Sequence, residues 1–313
     1  MGLFLLALAL VLAAGALYTA LRVRQFRRLH PAPGQFISAG GEKLHYMRAG
    51  LGRPVVLVPG VFGCAHDFSL SFLEPAAKEY DVLAVDRPGH GYSFKRRAVL
   101  SLDRQVEILH DVIQSAGMER PLLLGHSLGA ALALAYALRY PESISGLVLV
   151  SGYVFPTADP VHWIYRIPQL GLLGDLLLAT LFYPAAKIVA RSVAEGVFWP
   201  DPVPENYFFF NRELSTNPQA YKAHALDVLN FKAFLEKNSA RYAEIRIPAV
   251  ILTGAKDLVA PAEIHAARLH RAMPGSELII LDETGHQPGI VRPGEVLRAI
   301  RRAWELADLP GRN

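Results

Sequence analysis

The 313-residue chain has a single cysteine, Cys64. One thiol excludes an intramolecular disulfide framework and a multi-cysteine zinc site, and Cys64 reads as a small buried hydrophobe. Metal ligands are equally hard to assemble. The eleven histidines are scattered, H-E-x-x-H is absent, and His265 and His270 stand five apart, off the spacing of a helical ligand pair. No G-x-G-x-x-G follows a strand-like run, so neither a metal nor a dinucleotide cofactor is expected. Charge is scarce too, at 19% of residues against 52% hydrophobic ones, which excludes a disordered chain. Of 32 Lys and Arg, four (Arg22, Arg24, Arg27 and Arg28) lie in one short window, leaving 28 against 28 Asp and Glu. No basic stripe remains to follow a phosphate backbone, and nucleic acid is not an expected partner.

What the chain does have begins at its N-terminus. Leu3 to Leu21 is a run of 19 residues without a charge. As a helix it covers about 28 Å, close to the ~30 Å hydrocarbon core of a bilayer. A secretory signal peptide would need basic residues ahead of the run, where only Met1 and Gly2 stand, although Ala13, Ala14, Gly15 and Ala16 offer a cleavage site. Leu6 occupies the position where N-myristoylation wants Ser or Thr. The expectation is a single-pass anchor through residues 3–21. The arginines that follow it place the rest of the chain on the cytoplasmic side. Pro31, Pro33 and Gly34 then read as a linker.

From Gln35 onward short β-rich runs alternate with helix-like stretches. Phe36–Ser38 and Lys43–Arg48 flank Gly40-Gly41 and read as a hairpin. Val55–Val58, Val82–Val85, Leu122–Leu124, Leu147–Val150, Val250–Thr253 and Leu278–Leu281 mostly lack polar alternation, as strands of a parallel sheet covered on both faces do. Leu102–Ala116, Leu128–Arg139, Ala262–Arg271 and Glu295–Leu306 read as helices between them. The expected fold class is α/β, doubly wound, with a mostly parallel sheet. Residues 152–247 hold no convincing strand and are rich in aromatics, so they read as an inserted helical lid. Domains are therefore expected at 1–30 (anchor and basic flank), 31–151 with 248–313 (core) and 152–247 (lid). Within the lid, Leu172–Phe182 is too short to span a membrane and carries Asp175; it reads as packing on the core, an acyl-chain tunnel or a lipid-touching face.

The strongest chemical signal is Gly125-His126-Ser127-Leu128-Gly129, between a strand-like run and a helix-like one. A sharp strand-to-helix turn there would lift the Ser127 hydroxyl clear of the sheet, and the helix N-terminus favours negative charge beside it. A serine hydroxyl needs a base to take its proton, and the base needs a group to fix its tautomer. After this kind of turn the order is serine, acid, histidine. Asp257 and His286 follow the last two strand-like runs, at carboxyl ends where open α/β sheets keep their sites. Asp282 and Glu283 rank below Asp257 as the orienting acid, because loop neighbours of His286 rarely meet its ring nitrogen correctly.

With these residues in view the chain resembles the α/β-hydrolase superfamily, in its serine-nucleophile branch, from Gln35 to Leu306. Asp86-Arg87-Pro88-Gly89-His90-Gly91-Tyr92-Ser93 is similar to the family's D-x-P-G-H-G-x-S turn. Val55-Val56-Leu57-Val58-Pro59-Gly60 is similar to the strand that ends in His-Gly, with Pro59 in place of the His. The resemblance implies an oxyanion hole from the backbone N–H groups of Val61 and Leu128. The anchor and the apolar lid resemble membrane-bound monoacylglycerol-lipase-like hydrolases. The resemblance implies cleavage of lipophilic carboxylic esters through an acyl-enzyme. A carbon–carbon bond hydrolase, a perhydrolase or an acyltransferase of the same fold would use the same three residues, and the first would want a basic pocket residue such as Arg166, Arg191 or Arg212. A tethered binding module is the non-enzymatic alternative. Phe62 is expected to line or gate the pocket. His126 is read as part of the turn and as a pocket residue. His90 is expected to fix its own turn, and His66 to sit in a surface loop. Asp103, Asp111 and Asp227 are expected to be solvated or capping.

Overall fold

A computed structural model of the chain describes residues 1–94 and 100–309. Helix α1 (Gly2–Leu29) leads into an antiparallel hairpin, β1 (Gln35–Ala39) and β2 (Glu42–Ala49), each one residue longer at either end than its sequence signal. Gly40 and Gly41 both take positive φ, 58° and 84°, as a two-residue hairpin turn requires. Six further strands follow: β3 (Arg53–Val58), β4 (Tyr80–Val85), β5 (Leu122–His126), β6 (Gly146–Val150), β7 (Ala249–Gly254) and β8 (Ser276–Leu281). The helices after α1 are α2 (Ala65–Ser69), α3 (Leu73–Ala77), α4 (Leu102–Ser115), α5 (Leu128–Arg139), α6 (Leu172–Leu177), α7 (Tyr183–Phe198), α8 (Glu205–Thr216), α9 (Pro218–Ser239), α10 (Ala266–Ala272), α11 (Pro288–Val291) and α12 (Pro293–Ala307).

The strands form one sheet in the order β1-β2-β4-β3-β5-β6-β7-β8. β2 meets β4 antiparallel, and β4 through β8 are joined by parallel pairings. Alternation along each strand explains why the central runs are apolar throughout. Val56, Leu83, Leu123, Leu149 and Ile251 face a core that includes α4 and α5. Their neighbours Val55, Val82, Leu122, Val148 and Val250 face the opposite core, with α12 and α2–α3. Both faces are covered, so no polar residue is needed on either. α12 presents Val296, Ala299, Ile300, Ala303 and Trp304 to its side of the sheet at the three-and-four spacing of a one-sided helix.

α10 begins at Ala266, not at Ala262. Residues before it turn instead, and the buried His265 there accepts the N–H groups of Val154 and Phe155 at 3.3 Å. Between β6 and β7 no strand occurs among the described residues. The expectation that Leu172–Phe182 ends as a short element is corrected. A continuous helical stretch runs from Leu172 to Phe198, 27 residues, and is long and apolar enough to cross a membrane by length and composition alone. It carries a wide π-type turn at Leu178–Phe182, and Pro184 lacks the N–H that would otherwise reach the Thr180 carbonyl. α1 uses that carbonyl: a Cβ on Gly15 would lie 2.2 Å from Thr180 O, so only glycine admits the approach. α1 is otherwise largely exposed up to Leu21 and continues through the arginines to Leu29. Phe26 there docks against Cys64, Tyr92 and Leu214.

Candidate active site

The elbow is built as the glycines demand. Ser127 has φ 54° and ψ −118°, a strained conformation for a residue with a side chain, between the end of β5 and the first residue of α5. A Cβ at Gly125 would lie 2.3 Å from Gly129 O, and one at Gly129 would lie 2.2 Å from Val58 O. Either substitution drives backbone into backbone. The Ser127 hydroxyl opens on a cavity of about 820 Å³, which His286 also lines. Among the described residues no hydrogen bond engages that hydroxyl.

Asp257 and His286 come from the loops after β7 and β8 and are both buried. His286 Nδ1 donates to Asp257 Oδ2 at 2.8 Å, which leaves Nε2 as the basic nitrogen. The other oxygen, Asp257 Oδ1, accepts from Val259 N–H at 2.9 Å and Ala260 N–H at 2.8 Å. Burial pushes the Asp257 carboxyl up, but the hydrogen bond and charge of His286 and those two amides outweigh it, so the net shift is down. The two loops are sewn together: Lys256 N–H donates to Thr284 O at 2.9 Å, and Gly254 lies where a Cβ would come 2.0 Å from the same oxygen. Asp282 and Glu283 are exposed, and Glu283 faces Lys256 at 3.4 Å, away from the imidazole.

His126 is more than part of the turn. Its Nε2 donates to the His286 carbonyl oxygen at 2.8 Å, and burial drives its pKa down to about 4. Val61 and Phe62 lie on the loop after β3 and line the cavity with Ser127, Leu128 and His126. The Val61 and Leu128 N–H groups donate to no described acceptor. Pro59 leaves the loop close to the elbow, with Gly60 so near that a Cβ would come 2.9 Å from Ser127 Cβ. The Phe62 ring sits against Tyr165, Tyr221 and His224.

Other expectations fare unevenly. His90 holds its turn through Nδ1 and Pro88 O at 3.1 Å. His66 is half-buried with its ring 4.4 Å from that of Phe210, not free in a surface loop. Asp227 is the clearest correction. It is buried, pairs with Arg87 and lies 3.1 Å from His90 Nε2. A carboxylate on a helix reads as solvated when its partner is 140 residues away. Of the three lid arginines, Arg212 lines the cavity and is paired with Glu213 at 3.2 Å, while Arg191 pairs with exposed Glu205. Asn211 and His224, which both approach Phe62, carry no sequence signal. Asp67 carries no sequence signal either: full burial pushes its carboxyl up to about 7, against the pull of the Cys64 amide and Asn211.

The geometry has counterparts. The chain is 28% identical over 301 residues to the uncharacterized protein Rv2715 of Mycobacterium tuberculosis, across 91% of this chain and 85% of that one. It superposes on an esterase of Thermogutta terrifontis with a TM-score of 0.72 and 21% identity, over 89% of this chain and 100% of the other. It also superposes on a membrane phospholipase A described as a bacterial virulence factor, with a TM-score of 0.69 and 22% identity, over 99% and 100% of the two chains. A family model for the alpha/beta hydrolase fold matches residues 53–293, from the first residue of β3 to the start of α12. With most of its length inside that match, the protein belongs to the alpha/beta hydrolase fold family.

Proposed function

We propose that the protein is a membrane-anchored serine hydrolase that cleaves carboxylic esters of lipophilic acyl chains. One observation carries the reading: an imidazole oriented by a buried carboxylate at 2.8 Å opens on the same large cavity as a hydroxyl held on a strained elbow. His286 Nε2 takes the Ser127 proton as Oγ adds to the ester carbonyl carbon. The carbonyl π pair moves to oxygen, which the Val61 and Leu128 N–H groups receive. Protonated His286 then gives its proton to the leaving alcohol, and water repeats the sequence on the acyl-enzyme. The mechanism requires a serine–imidazole hydrogen bond to form as substrate fills the site.

The substrate class follows from the walls. The cavity wall offers Phe182 from the turn before α7 and Ala186, Val189, Val193 and Val197 of α7, and Arg212 shares the single carboxylate of Glu213 with Lys187. The apolar walls favour a lipophilic acyl chain, while Lys232, which also lines the cavity, is the cation that the charged acid of a carbon–carbon bond hydrolase would use. The anchor reading is supported by where α1 meets the lid. Gly15 lies seven residues before Arg22, about 10 Å along a helix, so a bilayer bounded by the arginines also takes in the lid around Thr180. Leu172, Leu173, Leu176 and Leu181 are exposed on that part of the lid. The catalytic domain then lies on the arginine side, the cytoplasmic one. The neighbour named a membrane phospholipase A agrees with ester hydrolysis at a membrane.

The test is labelling of the full chain in detergent micelles by a fluorophosphonate, together with turnover of an ester panel graded by acyl length. Labelling lost in Ser127→Ala and best turnover on medium or long chains support the reading. Labelling that survives Ser127→Ala, or best turnover on short charged esters, overturns it.

A further inference from the structure

Three successive peptide groups of the loop after β3 are each gripped from outside. The Gly60 carbonyl accepts from Arg87 Nη2 at 2.9 Å, the Phe62 N–H donates to His224 Nδ1 at 2.9 Å, and the Phe62 carbonyl accepts from Asn211 Nδ2 at 2.8 Å. A trans peptide is planar, and its C=O and N–H point in opposite directions. Arg87, by holding Gly60 O, therefore turns the Val61 N–H of the same peptide away from itself, and Val61 lines the cavity beside Ser127. Phe62 sits at φ 59°, a conformation that persists only where the surroundings over-determine it. The grip supplies that constraint.

Two of the three gripping side chains belong to the lid: Asn211 on α8 and His224 on α9. The third is held by the lid. Asp227, one turn beyond His224 on α9, pairs with Arg87, and Gln105 bridges both, donating to Asp227 Oδ1 at 2.7 Å and accepting from Arg87 Nη1 at 3.1 Å. Arg87, His224 and Asp227 are all buried. A guanidinium suits this place because its planar fork serves a carboxylate and a carbonyl at once. Burial, with Arg87 and His90 nearby, holds His224 well below the usual imidazole range, so Nδ1 keeps the lone pair that receives the Phe62 amide.

We propose that His224, Asn211 and the Arg87–Asp227 pair are positioning residues that aim the Val61 N–H at the oxygen that turns negative when Ser127 adds to an ester. The lid is then part of the oxyanion machinery as well as a cover over the cavity. A displacement of α8 and α9 loosens the donor, so full catalysis requires the lid in place. This rests on the serine-hydrolase reading above.

The test uses the full chain in detergent micelles with p-nitrophenyl butyrate, measuring kcat and KM separately, and inhibition by a trifluoromethyl ketone that forms a tetrahedral adduct on serine. His224→Leu removes the acceptor, whereas His224→Asn sets an amide oxygen near the place of Nδ1. The expected result is a loss of ~10²-fold in kcat for His224→Leu. KM stays within about 3-fold and ketone affinity falls in step with kcat, because the donor acts mainly on the charged adduct. His224→Asn returns most of the loss. Should His224→Leu fail to fold, the half-buried Asn211→Leu is read the same way, with a kcat-selective loss expected. A folded leucine variant with unchanged kcat and ketone affinity, or a loss confined to KM, overturns the clamp while leaving the hydrolase reading intact. Ester turnover that persists in Ser127→Ala overturns the hydrolase reading, and the clamp with it.

Discussion

His126 Nε2 and the carbonyl oxygen of His286 are 2.8 Å apart, and because a carbonyl only accepts, the proton on His126 is fixed at Nε2. The residue before the candidate nucleophile thus ties down the main chain of the candidate base. His126→Phe keeps the ring and removes the donor. The expected outcome is a fall of about 10-fold in kcat with KM little changed, and a stability loss of ~1 kcal/mol for the lost hydrogen bond. Steady-state kinetics and a thermal melt check both.

Asp257→Asn leaves the hydrogen-bonded shape of the acid loop nearly intact but favours the wrong tautomer of His286. A fall in kcat of up to ~10⁴-fold is expected, the scale seen when the orienting acid of such a relay is amidated. The same carboxyl has a pH signature. Its pKa is lowered on folding, so its contribution to stability is present above the unfolded carboxylate range and is lost as pH falls through the folded value. Acid unfolding of Asp257→Asn should therefore show less dependence on pH below ~4 than the parent. An unchanged acid limb would contradict the assignment.

Asp67 has the opposite sign. Its carboxyl is raised to about 7, so between the unfolded value and that point the folded state holds more protons. Stability from this group is present at low pH and declines as pH rises through the window. Asp67→Asn keeps an acceptor for the Cys64 N–H and cannot ionise. The difference in melting temperature between pH 5 and pH 8 should be smaller in the variant than in the parent; equal differences would remove the proposed ionisation.

Two glycines make a paired test of the elbow. Gly129→Ala forces a Cβ to within 2.2 Å of Val58 O, and a loss of at least ~3 kcal/mol or failure to fold is expected. Gly196→Ala, inside α7 where a Cβ meets nothing within 4 Å, should instead stabilise by ~0.5–1 kcal/mol through helix propensity. Denaturant titration distinguishes them.

For the lid surface, Leu172→Asp with Leu176→Asp places charge on exposed residues of α6, which precedes the α1 contact at Thr180. Turnover of an ester embedded in phosphatidylcholine vesicles should fall several-fold, and turnover of micellar p-nitrophenyl butyrate should stay the same. Equal effects on both would place this surface away from lipid.

The legible part of the protein was the part written in contiguous residues. The parallel sheet showed as apolar runs because each strand is buried on both faces, as Val55 and Val56 illustrate by facing opposite cores. The elbow showed because Gly125 and Gly129 are required within one turn by contacts less than 2.5 Å away, and Asp257 and His286 showed because both follow strand ends. Other features depended on partners distant in the chain. Asp227 looked solvated until Arg87 arrived from across the fold, and His224 and Asn211 were unremarked lid residues until α8 and α9 settled over Phe62. Leu172–Phe182 reads as short when its apolar run is counted alone; in the structure the helix continues past Pro184 to Phe198, with the wide turn at Leu178–Phe182 and the Gly15 contact at the Thr180 carbonyl accommodating that proline. Local sequence sets which backbone shapes are possible, whereas a buried charge or amide finds its partner only when tertiary packing excludes water and brings the two together.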